Sequence, residues 1–258
     1  VHTVTLSNAS ASSTTYSLPP TDGTATGVGT DYTRTLTNAA FSNGVTISAG
    51  VITVPAGVTS FTVTVPTTAD AIDEANETYS LAIGAASGTG TITDDDGAPT
   101  IASVSADAQI EGTALVHTVL LSNASSSATS FAYTLGGGTA TGGGTDYTTP
   151  PTFSNGVTLV GGNLNVPAGV TSFTITVPTT LDTIDEGADE TYNLSVGGVA
   201  AVGTITDDDN APTISSVSNA SAVEAVSIVH TVTLSNASAS STTYSLSLTD
   251  GTATGGGT

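Results

Sequence analysis

Fifteen of the 22 acidic side chains in this 258-residue chain fall in four short stretches. Residues 70–77 hold Asp70, Asp73, Glu74 and Glu77, and 94–96 hold Asp94, Asp95 and Asp96. Residues 182–190 hold Asp182, Asp185, Glu186, Asp189 and Glu190, and 207–209 hold Asp207, Asp208 and Asp209. There is no lysine, and the one arginine, Arg34, lies in none of these stretches. Carboxylates crowded without a basic partner disfavour their own ionisation and strain a compact state. A hard cation relieves that. Calcium takes about six to eight oxygen ligands, whereas magnesium keeps more of its waters. Zinc favours His and Cys; the chain has no cysteine and its three histidines lie elsewhere. The chemistry these residues suit is oxygen coordination of Ca²⁺. Acids serving only solubility would be scattered over exposed strand faces, where Thr and Ser stand instead.

The same composition excludes other classes. A formal charge of −21 with one basic residue leaves nothing to contact phosphates, so no nucleic-acid partner is expected. An anionic membrane surface is excluded on the same ground. No apolar run is long enough to span a bilayer. Without Cys there is no disulfide framework, and without Lys no Schiff base or P-loop. Disorder is rejected because 38% of residues are hydrophobic and those residues alternate.

The elements that position the acids recur. Val1–Ser10 returns nearly letter for letter at Val116–Ser125 and at Val229–Ser238, spacings of 115 and 113 residues. Val54-Pro55-Ala56-Gly57 returns at Val166-Pro167-Ala168-Gly169, and Thr91–Asp96 at Thr204–Asp209. A period of this length is one domain, not a solenoid unit of about 20–50 residues. Cutting after each Asp triplet gives three pieces: 1–96, a repeat lacking its first strand; 97–209, a complete repeat; and 210–258, the front of a third. Gly97-Ala98-Pro99 and Asn210-Ala211-Pro212 read as very short linkers. The chain reads as a window from a longer array with no signal peptide. Within each repeat Phe173, Ile175 and Val177 alternate with Thr174 and Thr176, and Tyr192, Leu194 and Val196 with Asn193 and Ser195. Period-2 alternation broken by turn clusters, with no helical stretch, predicts an all-β array of antiparallel, Ig-like sandwiches.

The order of motifs in 97–209 resembles the Calx-beta domain, the sandwich of sodium–calcium exchangers and of large bacterial surface proteins. The matching pieces are Glu111-Gly112, Gly138–Gly142 leading to Asp146-Tyr147, Val166–Gly169, Asp182-Thr183-Ile184-Asp185-Glu186, and Gly203–Asp209. The resemblance implies calcium ligands at Glu111, Asp146, Asp182, Glu186, Glu190 and Asp207 to Asp209, with a carbonyl from Ile184. Asp185 and Asp189 share the loop, and the residue inserted there leaves Asp189 and Glu190 as alternatives. In the first repeat the set is Asp31, Asp70, Glu74, Glu77 and Asp94 to Asp96, with Asp73 beside them. The third piece offers Glu224, followed by Ala225 where the family carries Gly. Several Ca²⁺ ions per complete domain are implied.

Other constellations read as structure. His2, His117 and His230 share one repeat position in phase with core residues, which predicts packed histidines. Ser and Thr are too common to mark a nucleophile. Glycoside hydrolysis by paired carboxylates needs an aromatic-lined cleft, and aromatics are 5%. Gly136-Gly137-Gly138 reads as a turn. Asn8-Ala9-Ser10 and Asn76-Glu77-Thr78 match a glycosylation sequon, a short and common pattern. The expected role is non-enzymatic: a calcium-rigidified spacer in an extracellular bacterial adhesin or biofilm protein. Its expected partners are neighbouring repeats, and copies of itself if the chain builds a fibre or sheath. A carbohydrate-binding module is the third alternative.

Overall fold

A computed structural model describes residues 1–253 and 255. Short strands build it, and the helical content among these residues is one 3₁₀ turn, Asn38–Ala40. Two compact units are formed, one dominated by Val1–Thr100 and one by Ile101–Leu121, Ser130–Pro167 and Ser172–Thr258.

In the second unit, sequence alternation becomes burial alternation. Leu115, His117, Val119 and Leu121 face inward while Val116, Thr118 and Leu120 face solvent. That strand pairs antiparallel with Ser172–Val177, placing Val119 opposite Phe173. Ile101–Val104 and Thr152–Phe153 complete a four-stranded sheet. The facing sheet has six strands, ordered Asp107–Ile110, Val199–Thr206, Glu190–Val196, Thr129–Gly136, Asn163–Val166 and Thr158–Val160. Leu115, Phe173, Ile175, Leu164, Tyr192 and Leu194 are buried. Burying each such side chain contributes roughly 1.5–3 kcal/mol.

The antiparallel pattern has an informative exception. Ile101–Val104 joins the four-stranded sheet; after two residues the chain joins the other sheet, where Asp107–Ile110 runs parallel to Val199–Thr206. The chain keeps its direction through this switch, so the second pairing is parallel. One result is that Ile110 lies opposite Thr206 and the Glu111 N–H donates to the Thr206 carbonyl at 3.1 Å. Glu111 thus arrives beside the Asp207–Asp209 triplet.

A second constraint is shared by both units. A Cβ added at Gly203 would lie 2.2 Å from Cζ of Tyr192, and one at Gly90 would lie 2.2 Å from Cζ of Tyr79. Each glycine leaves room for the tyrosine ring of its hairpin partner. His117, fully buried, accounts for both ring nitrogens: Nδ1 lies 2.8 Å from the Ser105 carbonyl and Nε2 lies 2.8 Å from the Tyr192 hydroxyl. A carbonyl only accepts, so Nδ1 donates and Nε2 accepts from Tyr192. His2 meets Tyr79 in the same way at 2.9 Å. These histidines are packing elements.

The first unit repeats the plan. His2–Thr5 pairs with Ser60–Val63, Thr14–Ser17 with Val51–Val54, and Glu77–Ile83 with Ala86–Ile92, all antiparallel. Its core includes Leu18, Tyr32, Val45, Ile52, Phe61 and Tyr79. In 210–258, Ile214–Val217 pairs with Val232–Leu234. No strand like Ser172–Val177 faces this pair among the described residues, and Val232 and Leu234 are exposed. No helix among the described residues is long and apolar enough to cross a membrane.

Candidate metal centre

The hairpin Glu190–Val196 and Val199–Thr206 brings the two acidic stretches of the second unit together. Glu190 pairs with Ile205, so Asp207 emerges beside the loop that ends at Glu190. Asp207 then ties the loop down: its Oδ2 accepts from the N–H groups of Glu186 and Gly187, each at 3.1 Å. Asp182 caps its own turn by accepting from the Ile184 N–H at 2.7 Å. Asp146 sits in a tight turn, where its side chain accepts from the Thr141 N–H and its carbonyl from the Thr180 N–H. The resulting cavity, about 10 Å³, is lined by Glu111, Asp146, Asp182, Glu186, Glu190 and Asp207.

The first unit builds the same arrangement. Glu74 N–H donates to Asp94 Oδ2 at 3.1 Å, Ile72 N–H to Asp70 Oδ1 at 2.8 Å, and Thr26 N–H to Asp31 Oδ2 at 2.5 Å. Its cavity, about 40 Å³, is lined by Asp31, Asp70, Glu74, Glu77 and Asp94 to Asp96. Spaces this small suit ions; small-molecule sites run to roughly 300–1,000 Å³.

Oxygen donors converge closely. One ligand atom each from Asp31, Glu74 and Glu77 lie within 4.8 Å of one another. The same holds for Glu111, Glu186 and Asp207, and for Glu111, Asp208 and Asp209. The chain's one basic side chain is spent elsewhere, on an ion pair between Arg34 and Asp22. Burial, then the neighbouring charges of Asp182 and Asp207, raises Glu186 to about 7. Burial also raises Glu111 and Glu190 to about 7, reinforced by carboxyl contacts with Asp208 and Asp146 respectively. Glu74 is raised by burial and then by Asp70, and Glu77 by burial and then by Asp31.

The residues fit a hard cation on an observation of their own. Glu111 is 6% exposed, and its Oε1 is buried with no hydrogen-bond partner. Asp209 Oδ2 is also buried and unpartnered. A buried carboxylate oxygen without a donor costs a large desolvation penalty. A cation among these oxygens would remove it, and the donors on offer are all hard oxygens.

The candidates divide by placement. Glu190 lines the cavity while Asp189 is exposed outside it. Asp73 and Asp185 line neither cavity; their carboxylates accept from Ser125 and Ser238 at 2.7 and 2.8 Å. Ile184 lies in a two-residue strand with Asp185. Glu224 is exposed and belongs to none of the acidic groups among the described residues, and Ala225 adopts φ 64° where Gly112 adopts 74°. Sequence reading passed over Thr68 and Thr180, which line the two cavities and donate to the Gly29 and Gly144 carbonyls at 3.1 Å. Their equivalent placement two residues before Asp70 and Asp182 was the available signal.

A family profile for the Calx-beta domain matches residues 1–107 and again 94–202. Among solved structures, the chain is similar to the calcium binding domain CBD12 of CALX1.1, at 15% identity and TM-score 0.29, over 75% of this chain and 70% of that one. It is also similar to the I9–I11 tandem from titin, at 8% identity and TM-score 0.23, over 78% of this chain and 61% of that one. No curated protein matches it.

Proposed function

This chain belongs to the Calx-beta domain family, and we propose on that basis that its acidic cavities hold Ca²⁺ and that the array is a non-enzymatic, calcium-rigidified spacer. The observation that carries the calcium reading is the buried, unpartnered Oε1 of Glu111 amid Glu186, Asp207, Asp208 and Asp209. In the second unit Glu111, Asp146, Asp182, Glu186, Glu190 and Asp207 to Asp209 would hold the ions. In the first unit Asp31, Asp70, Glu74, Glu77 and Asp94 to Asp96 would do so. Bound calcium supplies positive charge that offsets carboxylate repulsion at the end of each sandwich, a stabilising role in a chain without disulfides. Extracellular calcium modules bind at roughly 10⁻⁴–10⁻³ M, a range that suits a surface-exposed array.

Calorimetric titration of calcium into the full chain tests this. Glu111→Gln removes one ligand charge while keeping shape, and should weaken second-unit binding by about tenfold, which corresponds to roughly 1.4 kcal/mol. Unchanged heats in the variant would remove Glu111 from the site.

The wider setting we propose is an extracellular, bacterial surface adhesin or biofilm protein, in which the repeats extend a binding tip. Among the described residues Tyr32, Tyr79, Tyr147 and Tyr192 are buried and Tyr244 alone of the Tyr and Phe rings is exposed, and one ring makes no stacking platform, which weighs against a carbohydrate module. The alternative that the chain is itself a fibre subunit is separable by electron microscopy. Extended single particles are expected for a spacer, and regular filaments of the purified chain would favour the fibre.

A further inference from the structure

Each acidic loop carries, directly after its isoleucine, an Asp that the cation chemistry does not use. Asp73 and Asp185 follow Ile72 and Ile184 in two-residue strands that pair parallel with Ala124–Ser125 and Ala237–Ser238. Those partners belong, by sequence, to the repeat that follows. Ser122–Thr129 fall in the same compact unit as Asp73, and Ser238 in the same unit as Asp185. The contacts repeat bond for bond. Ser125 Oγ donates to Asp73 Oδ2 at 2.7 Å, and the Ser126 N–H donates to the Asp73 carbonyl at 2.9 Å. Ser238 Oγ donates to Asp185 Oδ2 at 2.8 Å, and the Ala239 N–H donates to the Asp185 carbonyl at 2.9 Å. Asn123 and Asn236 reach back to the linker, donating to the carbonyls of Gly97 at 2.8 Å and Asn210 at 2.9 Å. Ser125 is 4% exposed and Asp185 is 7% exposed, while their partners Asp73 and Ser238 are half-buried, so water is partly excluded from these bonds.

The serine segment is shaped before it docks. Ser12 N–H donates to Ser10 Oγ at 3.2 Å and Gly57 N–H to the Ser10 carbonyl at 2.8 Å. Ser127 and Gly169 make the same bonds to Ser125, at 3.2 and 2.9 Å. Asn8-Ala9-Ser10 therefore holds the conformation with no Ile-Asp strand paired to it among the described residues. Preorganisation of this kind lowers the entropy lost on docking.

We propose that the Ile-Asp pair of each acidic loop is a docking element for the Asn-Ala-Ser segment of the next repeat, so that Asp73 and Asp185 join repeats. A serine hydroxyl has one hydrogen, and the charged carboxylate is its strongest acceptor here. The joint sits one residue from Glu74 and Glu186, in the loops that line the cavities. Its coupling to calcium rests on the function proposed above; the docking does not.

Amide hydrogen exchange on the full chain, with calorimetric calcium titration alongside, tests it. Ser125→Ala should lower protection at Ser126 by about tenfold, the loss of one half-buried charge-assisted bond, and leave Ala239 unchanged. Ser238→Ala should do the reverse, and in either variant the calcium midpoint should move by no more than the factor by which calcium raises protection at these amides. Added calcium should raise protection at both amides in the unaltered chain. Unchanged protection at Ser126 and Ala239 in the two serine variants would overturn the docking role. So would a tenfold loss of calcium affinity in Asp185→Asn, which would make Asp185 a ligand. Absence of calcium binding by the unaltered chain would instead defeat the functional reading while leaving the exchange pattern intact.

Discussion

In calcium at ten times its dissociation constant, each unit should melt well above its chelated form. A ligand bound only to the folded state adds RT ln(1 + [L]/Kd), about 1.4 kcal/mol per ion at that excess. For a domain of about 100 residues, one kcal/mol shifts the midpoint by roughly 4–8 °C, so one ion per unit gives about 6–11 °C. Further ions in the same cluster add to this. Magnesium at equal concentration should do far less, because it dehydrates reluctantly and demands a tight octahedral shell. Asp207→Asn combined with Asp208→Asn should remove most of the shift in the second unit, since Asp207 both lines the cavity and ties down the Glu186 and Gly187 amides. Differential scanning calorimetry in calcium, magnesium and chelator reads all three states. Superimposed melts would leave the carboxylates as solvated loops and the family membership as a statement of fold.

Much of this site is readable from residue types and spacing, because its largest parts are local. The 182–190 loop and the 207–209 triplet flank a single hairpin, and period-2 alternation places that hairpin. The same alternation contains the choice between Asp189 and Glu190. Glu190 is in phase with Tyr192, Leu194 and Val196, which face the core, so it ends the inner face and Asp189 does not. Glu111 and Asp146 are harder. Glu111 reaches the cluster only through a parallel pairing with Val199–Thr206, and no periodicity reports which sheet a switching edge strand joins. Asp146 depends on a turn closed by its own side chain on Thr141. Both came from family resemblance, not from pattern. Asp73 and Asp185 show the opposite failure: inside a run of acids, residue type cannot separate a carboxylate aimed at a cavity from one aimed at a neighbouring hydroxyl. Tertiary contacts with Ser125 and Ser238 decide that, and they lie 52 and 53 residues away in sequence.

The chelated protein should lose stability as pH rises towards neutrality, while the calcium-loaded protein should lose far less. Without calcium, Glu111, Glu186 and Glu190 are raised to about 7 from an ordinary 4.5, first by burial and then by neighbouring carboxyl groups. Between those limits the folded chain holds protons that the unfolded chain has released. Stability then falls as pH rises, because its slope follows the protons bound unfolded minus those bound folded. The stabilisation is present in full below about 4.5 and lost through about 7. Glu74 and Glu77 are raised as well and add the same sign in the first unit. With calcium the ligands are held deprotonated, so the folded chain no longer carries those extra protons and the fall in stability is flattened across the same window. Melting temperatures taken across that window in calcium and in chelator should therefore diverge as pH increases. Parallel curves would mean that the raised glutamates and the cation do not share a site. Divergence lost in Glu111→Gln within the second unit would place the shared site at the buried oxygen that lacks a partner.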